Sequence, residues 1–334
     1  MAEFTDFISE NIAPLGARRI GIYQQNGNRI GQLPLGNLTP PAVGERLYSF
    51  GALSDVHMQY ETAPADFQTA LTYLNQTADF VCVCGDLTTN GTAAELAVYK
   101  QHVDQYAKIP VYTIAGNHEG YHSGILSILE TYTGTPLYYS FHHGNDVFIM
   151  LGVKSNTMGS LFADGELQWL YETLEDNRNK RCFVFQHVFP KSSALGLYHN
   201  SIWGGTEADI FVSLMQHYPN VILFHGHSHL RFDLQRKYGG KANYDRDLGC
   251  HSIHISSLAS PRNTSSNGSG LVDVFSDSEG YVVDVYKNGI HLRGREFVDG
   301  AFLPIASYWL DTPLKTVEAK TYQDPTGTIQ TGQS

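Results

Sequence analysis

The sequence has little positive charge for its length. Its 334 residues include 22 lysines and arginines against 33 aspartates and glutamates, which gives a net charge of -11. Proteins that bind long nucleic acid gain much of their affinity by neutralising phosphates with basic side chains. The charge balance therefore argues against DNA or RNA as a partner, and we expect a small-molecule substrate instead.

The sequence also has few cysteines. It has four, which are Cys82, Cys84, Cys182 and Cys250. Four cysteines are too few to stabilise a chain of this length through disulfides. A zinc site made of cysteines would need four soft ligands at close spacing, and neither Cys182 nor Cys250 has a cysteine nearby. We interpret all four as buried free thiols.

A long apolar run is missing as well. No stretch reaches the roughly 20 apolar residues that a membrane-spanning helix needs. The segment from Met1 to Leu15 contains acidic residues and lacks the basic start and apolar centre of a signal peptide. We therefore expect a cytoplasmic protein that does not contact the membrane.

Strand and helix patterns alternate through the middle of the chain. Hydrophobic residues make up 42% of the sequence, enough to bury a large core. Apolar residues at helical spacing around Phe67 and Leu170, and the capping-box pair Thr92 and Glu95, predict helices. Short apolar runs, mostly β-branched or aromatic, predict six strands: Leu47–Leu53, Phe80–Cys84, Val111–Ala115, Val147–Leu151, Cys182–Phe185 and Val221–Phe224. This alternation is typical of an α/β fold.

The flanking segments have different patterns. Arg19–Leu33 is predicted to form a hairpin around an Asn-Gly turn, and the polar stretch Gln323–Ser334 a loose tail. Three late runs predict strands of a second, antiparallel sheet: Val272–Phe275, Tyr281–Tyr286 and Ile290–Glu296. We therefore divide the chain into an N-terminal appended segment (1–45), a main domain (46–298) and a C-terminal extension with its tail (299–334).

Polar motifs follow five of the predicted strands. In chain order they are Asp55-Val56-His57, Gly85-Asp86, Gly116-Asn117-His118, His187 and Gly226-His227-Ser228-His229. Side chains at the carboxyl ends of strands in an open α/β sheet converge on one crevice. Imidazole suits zinc, iron and manganese, and a carboxylate can bridge two ions. The five motifs therefore predict one site with two metal ions.

The same motifs resemble the pattern D-x-H, G-D, G-N-H, H, G-H-x-H of the calcineurin-like metallophosphoesterase superfamily. The match runs from Asp55 to His229, about half of the chain. The resemblance implies a four-layer α/β/β/α sandwich of two mixed sheets with flanking helices. The N-terminal hairpin and the late antiparallel strands would be added to that sandwich.

The resemblance also implies which residues act in the site. One ion would be held by Asp55, His57, Asp86 and His229, and the other by Asp86, Asn117, His187 and His227. Asp86 would bridge two ions of manganese, iron or zinc. His118 directly follows a ligand, and we expect it to be the catalytic residue that assists the leaving group.

Two positions indicate the branch of the superfamily. Purple acid phosphatases carry a tyrosine ligand, and protein Ser/Thr phosphatases an aspartate, three residues after the Gly-Asp aspartate, where this chain has Thr89. The protein phosphatases also have an arginine where this chain has Ala115. The resemblance is nearest to the class III cyclic-nucleotide and glycerophosphodiester phosphodiesterases. Without an aspartate at position 89, we expect Asn90 or a water molecule to orient His118.

The expected activity is hydrolysis of a small phosphodiester of the cyclic-nucleotide or glycerophosphodiester type. A metal-bridging hydroxide would attack phosphorus. Two alternatives stay open. A phosphomonoesterase would need extra cations, for which Arg262 and Lys191 are candidates, and a binding or structural module could retain the metal site without catalysis.

Two loops, Glu119–Leu126 and Phe189–Thr206, are expected to decide the substrate, because site loops carry specificity. His122 and His199 lie in them and are candidates for lining the cleft. The sequence leaves the oligomeric state, monomer or homodimer, open.

Overall fold

The computed structural model describes residues 45–122, 124–157, 160–190, 203–233, 244–246, 248–264, 271–312, 322–323 and 329–330. The predicted hairpin Arg19–Leu33 lies outside these residues, as do Lys191 and His199. Within them, no helix is long and apolar enough to cross a membrane. All four cysteines are buried and free, which confirms that prediction.

The first large sheet combines early and late parts of the chain. Three parallel strands come first, β1 (Arg46–Leu53), β2 (Phe80–Cys84) and β3 (Val111–Ile114). The late strands are β12 (Glu279–Tyr286), β13 (Gly289–Glu296) and β14 (Ala301–Asp311). They pair antiparallel along the free edge of β1, so the strand order is β14-β13-β12-β1-β2-β3.

The second large sheet is also mixed. Its strands are β4 (Tyr138–His143), β5 (Asp146–Leu151), β6 (Cys182–Gln186), β7 (Val221–His225), β8 (Tyr244–Asp245) and β9 (His251–His254). Their order is β4-β5-β6-β7-β9-β8. The four central strands are parallel, and the two edge strands are antiparallel to their neighbours.

In the part of the chain that the structure describes, five α-helices flank the sheets: α1 (Ala63–Thr77), α2 (Ala93–Tyr106), α3 (Ile125–Thr133), α4 (Glu166–Asp176) and α5 (Thr206–His217). The predicted capping box at the start of α2 is present, because Thr92 and Glu95 exchange side-chain and backbone hydrogen bonds. Two short antiparallel strand pairs lie outside the large sheets: β10 (Arg262–Thr264) with β11 (Leu271–Asp273), and β15 (Tyr322–Gln323) with β16 (Ile329–Gln330).

Three apolar layers hold these elements together. The central layer lies between the sheets and is rich in aromatic rings, such as Phe50 of β1 packed edge-on against Phe148 of β5 and Phe183 of β6. The second layer packs α1, α2 and α3 on the first sheet, and the third packs α4 and α5 on the second. Burial on both faces explains why the parallel strands are continuously apolar. The four-layer α/β/β/α sandwich is confirmed.

The late strands differ from the expectation of one separate antiparallel sheet. The runs Tyr281–Tyr286 and Ile290–Glu296 join the first sheet, because the free edge of β1 offers unpaired backbone groups that β12 satisfies, whereas the run Val272–Phe275 contributes β11, which pairs with β10. The first sheet also continues past residue 298, since β14 lies in the segment assigned to the C-terminal extension. Within the expected loose tail, Tyr322–Gln323 pairs with Ile329–Gln330.

A buried ion pair joins the two sheets at the end away from the polar motifs. Arg181 donates to both carboxylate oxygens of Asp146, at 2.8 and 2.6 Å, and its third nitrogen donates to the carbonyl of Tyr286 at 2.5 Å. Tyr48 of β1 donates to the same carboxylate at 2.6 Å. Both charged side chains are nearly inaccessible, so water cannot replace either partner.

Removing one member of this pair tests its contribution to stability. Arg181→Met leaves Asp146 buried without a compensating charge, which we expect to lower the free energy of unfolding by about 3–5 kcal/mol. Urea denaturation measures the change. Arg178→Met is the matched control, because Arg178 is exposed and its pair with Glu175 should contribute less than about 1 kcal/mol. Equal effects of the two substitutions would contradict a stabilising role for the buried pair.

Candidate metal centre

The structure brings the motif side chains together at one edge of the sandwich. In the first sheet Asp55 and His57 follow β1, Asp86 follows β2 and Asn117 follows β3. In the second sheet His187 follows β6, while His227 and His229 follow β7. The site is therefore built from the carboxyl ends of parallel strands in both sheets.

The side chains form two overlapping groups. The first group consists of Asp55, His57, Asp86 and His229, and the second of Asp86, His187 and His227. Within each group, the candidate ligand atoms lie within 4.8 Å of one another. Asp86 belongs to both. All these residues are buried, as is Asn117. The two groups therefore overlap at one shared carboxylate.

The backbone of the site is strained where these side chains attach. Five non-glycine residues of the described chain have positive φ angles, and all five are candidate ligands: Asp55 (55°), His57 (42°), Asp86 (50°), His227 (75°) and His229 (58°). Left-handed conformations are unfavourable for side chains with a Cβ and persist only where the surroundings impose them. The strain turns each strand end sharply and aims its side chain into the centre.

Two glycines allow the loops to approach closely. A side chain at Gly116 would collide with the backbone nitrogen and carboxylate of Asp86, and one at Gly85, which has a φ of +84°, would collide with the ring of His187. Only glycine fits at positions where another chain segment approaches this closely. These glycines therefore permit the Asp86, Asn117 and His187 loops to share one centre.

Hydrogen bonds fix which nitrogen of each ring faces the centre. Nδ1 of His187 donates to the carbonyl of Cys84 at 2.6 Å, and Nδ1 of His229 lies 2.9 Å from the hydroxyl of Ser260. Nε2 of His187 then lies 3.0 Å from a carboxylate oxygen of Asp86, and Nε2 of His229 lies 3.0 Å from Asp55. Rings that bind metals are held in this way, with one nitrogen anchored and the other free.

Several buried atoms of the centre fit metal ions better than they fit each other. Nε2 of His57 and Nε2 of His229 face each other at 3.1 Å. Oδ1 of Asp55, Oδ1 of Asn117 and Nε2 of His187 are among the buried polar atoms of the described residues that form no hydrogen bond of good geometry, although Nε2 of His187 lies 3.0 Å from Asp86. Buried polar atoms are nearly always paired, so these exceptions require an explanation. A cation between carboxylate oxygens and imidazole nitrogens would satisfy all of them, and the residues therefore fit the two ions.

Burial and the charges of the centre shift the pKa values of its own side chains. Burial lowers the pKa of His187, but the carboxylates of Asp86 and Asp55 outweigh burial and raise it to about 9. Burial and the neighbouring His229 lower the pKa of His57 to about 3. Burial opposes ionisation of Asp55 and Asp86, but the surrounding histidines hold both carboxyl pKa values below their usual range. The centre therefore keeps two buried carboxylates ionised.

His118 lies beside the centre and is more accessible than the other rings. Its side chain is 22% exposed, and Nε2 lies 3.8 Å from a carboxylate oxygen of Asp86. Nδ1 donates to the carbonyl of Thr89 at 2.6 Å, so a backbone group orients the ring. The expectation that Asn90 would do so is wrong, because the Asn90 amide donates to Glu95 instead. The hydroxyl of Tyr121 lies 3.2 Å from Nε2.

Sequence reasoning missed two supporting residues. The buried carboxylate of Glu119 accepts from Thr88 at 2.9 and 2.7 Å and from the backbone of Gly116 at 2.7 Å, so it ties the Asp86 loop to the Asn117 loop. Its position directly after Gly-Asn-His was the available signal. His254 of β9 contacts the Gly226 carbonyl at 2.9 Å and the Ser228 hydroxyl at 2.8 Å. No sequence pattern linked it to the site.

Two further candidates have different surroundings. His122 is exposed at the end of a short 3₁₀ helix, Glu119–Tyr121. Arg262 forms an ion pair with Asp273 at 2.9 Å, and its backbone nitrogen donates to the carbonyl of His229 at 2.6 Å. Its positive charge is therefore compensated within the protein.

Solved structures with similar folds include two with TM-scores above 0.5. A purple acid phosphatase from yellow lupin seeds has a TM-score of 0.53 and 14% identity, over 81% of this chain and 55% of that one. GAP50 of Plasmodium, described as the anchor in the inner membrane complex, has a TM-score of 0.54 and 15% identity, over 81% of this chain and 90% of that one. At these identities the likeness concerns the fold alone. A search of curated proteins found no match.

The family comparison covers the residues that build the centre. The model of the calcineurin-like phosphoesterase family matches residues 48–231, more than half of the 334 residues, and this range contains every candidate ligand and His118. Together with the two mixed sheets and the convergent carboxylates and imidazoles, the match shows that the chain belongs to the calcineurin-like phosphoesterase family.

Proposed function

We propose that this protein is a phosphodiesterase that cleaves a small diester at two metal ions. Family membership supports the broader activity, a metal-dependent phosphoester hydrolase. The observation that carries the proposal is the shared carboxylate of Asp86, which lies in both groups of candidate ligands. We expect the substrate to be a small molecule and the protein to act in the cytoplasm.

Each candidate ligand has a place in one of two ion sites. Asp55, His57, Asp86 and His229 would hold one ion, and Asp86, His187 and His227 the other, with the unpaired oxygen of Asn117 as a further ligand. When bound, such a pair of manganese, iron or zinc ions supplies Lewis acidity and lowers the pKa of a water molecule. The protein contributes a rigid, buried set of oxygen and nitrogen atoms that needs no rearrangement.

His118 has the geometry of a proton donor to the leaving group. Because Nδ1 already donates to the carbonyl of Thr89, the proton that can move is the one on Nε2. Protonated Nε2 would give that proton to the leaving oxygen as its bond to phosphorus breaks. The neutral Nε2 can then accept a hydrogen bond from the hydroxyl of Tyr121. This sequence uses no protein nucleophile.

The charges around the site favour a diester over a monoester. A dianionic monoester needs additional cations beyond the metals. Of the described arginines nearest His229, Arg231 pairs with Asp277 at 2.6 Å and Arg262 pairs with Asp273 at 2.9 Å. A phosphodiester carries one negative charge fewer than a dianionic monoester, so it needs fewer cations around it.

Substrate preference can be measured with two chromogenic esters. With manganese, iron or zinc added back to chelator-treated protein, we expect faster turnover of bis(p-nitrophenyl) phosphate than of p-nitrophenyl phosphate. Faster turnover of the monoester would favour a phosphomonoesterase. Inactivity on both esters with every metal would favour a binding or structural module that retains the centre.

Asp86→Asn tests the shared ligand. It removes the charge that both ion sites use, so we expect bound metal and activity to be lost together, as measured by elemental analysis and turnover. Asp104→Asn is the control, because Asp104 is exposed and pairs only with Lys100 on α2. Full metal content in Asp86→Asn would contradict the bridging role.

His118→Ala separates catalysis from metal binding. We expect unchanged metal content and a fall in kcat of about 10²–10⁴-fold for an alkyl diester. The fall should be smaller for a p-nitrophenyl ester, because that leaving group needs less protonation. His102→Ala is the control, because it removes a helical histidine that is bonded to the Val98 carbonyl. It should leave metal content and kcat unchanged. If His118→Ala binds less metal and added metal restores activity, His118 is a ligand instead.

A further inference from the structure

Exposed aromatic rings lie beside the candidate metal centre. Tyr121 is 42% exposed and Phe275 is 44% exposed. They come from separate parts of the chain, a 3₁₀ helix after β3 and the turn after β11. An exposed aromatic ring keeps apolar surface in water, and covering that surface is favourable.

Ring contacts connect Phe275 to the catalytic histidine. The ring of Tyr121 lies 4.5 Å from His118, measured between centroids, and His118 lies 4.7 Å from His57. Tyr60 stacks on His57 at 5.0 Å, and Phe275 packs edge-on against Tyr60 at 5.3 Å. The proposed proton donor and the buried ring of His57 therefore lie inside this row, with Tyr121 on one side and Tyr60 and Phe275 on the other.

The outer part of this row is held firmly. The backbone of Tyr60 donates to the carbonyl of His57 at 2.9 Å. The hydroxyl of Thr62 donates to the carbonyl of Phe275 at 3.1 Å, and the backbone of Val274 donates to Pro261 at 2.8 Å. Loops whose backbone is fixed in this way lose less conformational entropy when a ligand binds.

The rim is electrically neutral next to a charged centre. Arg262, the nearest cation of the adjoining strand pair, is paired with Asp273. Tyr60 and Tyr121 contribute phenol rings, whose hydroxyl groups are neutral hydrogen-bonding groups. A neutral surface of rings with hydroxyl groups suits a planar polar ring, such as a nucleobase, better than it suits a charged or purely alkyl group.

We infer that Tyr60, Tyr121 and Phe275 form an aromatic shelf that binds a planar aromatic ring on one ester group of the substrate. The inference rests on the proposed phosphodiesterase function and narrows its substrate class. With phosphate at the metal centre and the leaving oxygen near His118, the attached group extends along the row of rings. Nucleotide-type diesters are therefore preferred over glycerol diesters.

The test compares two diesters and one shelf substitution. Values of kcat/KM are measured for 3′,5′-cyclic AMP and for glycerophosphoethanolamine with the metal-loaded protein. Stacking on an aromatic side chain strengthens binding of a base substantially, so Phe275→Ala should lower kcat/KM for the cyclic nucleotide about tenfold and leave the glycerol diester unchanged. Tyr60→Leu should have the same selective effect, and Tyr60→Phe should retain most of the preference.

Val298→Ala is the matched control, because Val298 is also an exposed apolar side chain (49%) but makes no ring contact with the site. If Phe275→Ala and Tyr60→Leu change both substrates equally, or neither, the shelf is overturned while the phosphodiesterase proposal stands. A wild-type preference for the glycerol diester would also overturn it.

Saturation-transfer NMR measures the binding of adenosine to the metal-free protein. This readout does not depend on turnover. We expect weaker binding to Phe275→Ala than to wild type and Val298→Ala. If neither diester is hydrolysed, the phosphodiesterase proposal fails, and this measurement decides the shelf separately. Equal adenosine binding by all three proteins would overturn the shelf.

Discussion

Two ionised carboxylates, Asp55 and Asp86, are buried at the centre of this protein, and much of the surrounding structure serves to hold them there. A buried charge is strongly unfavourable unless it is paired or binds a metal. Here imidazole rings surround both carboxylates, and the outer nitrogens of His187 and His229 are anchored by Cys84 and Ser260. Both sheets must end at the same edge for these groups to meet.

This requirement explains why strain is concentrated in one place. Left-handed backbone at non-glycine residues costs roughly 1–3 kcal/mol each, and among the described residues it occurs only at five candidate ligands. Three extensive apolar layers, including the aromatic layer between the sheets, stabilise the fold that imposes this strain. The result is a site whose candidate ligands are fixed by the fold, and fixed charges and dipoles are the usual source of electrostatic catalysis.

In the proposed mechanism, the same loops would connect metal binding to the handling of substrate. Glu119 joins the loop of the shared carboxylate to the loop of His118. The carbonyl of Thr89 takes the orienting role that an aspartate has in protein phosphatases. On the other side, the backbone of Arg262 bonds to that of His229, and its side chain bonds to Asp273, two residues before Phe275. The residues proposed for recognition and for chemistry thus share short stretches of backbone.

The sequence by itself determined the α/β class, most strand positions to within a residue or two, and the seven residues that converge, because apolar periodicity and motif order are local properties. The tertiary structure decided what depends on contacts between distant segments. It placed the late strands on the edge of β1, because only the assembled sheet has that free edge. In the folded chain, the backbone carbonyl of Thr89 orients His118. The sequence could not indicate this contact, because every residue has a backbone carbonyl. It also brought Tyr60, Tyr121 and Phe275 together, because their spacing in sequence contains no information about distance in space.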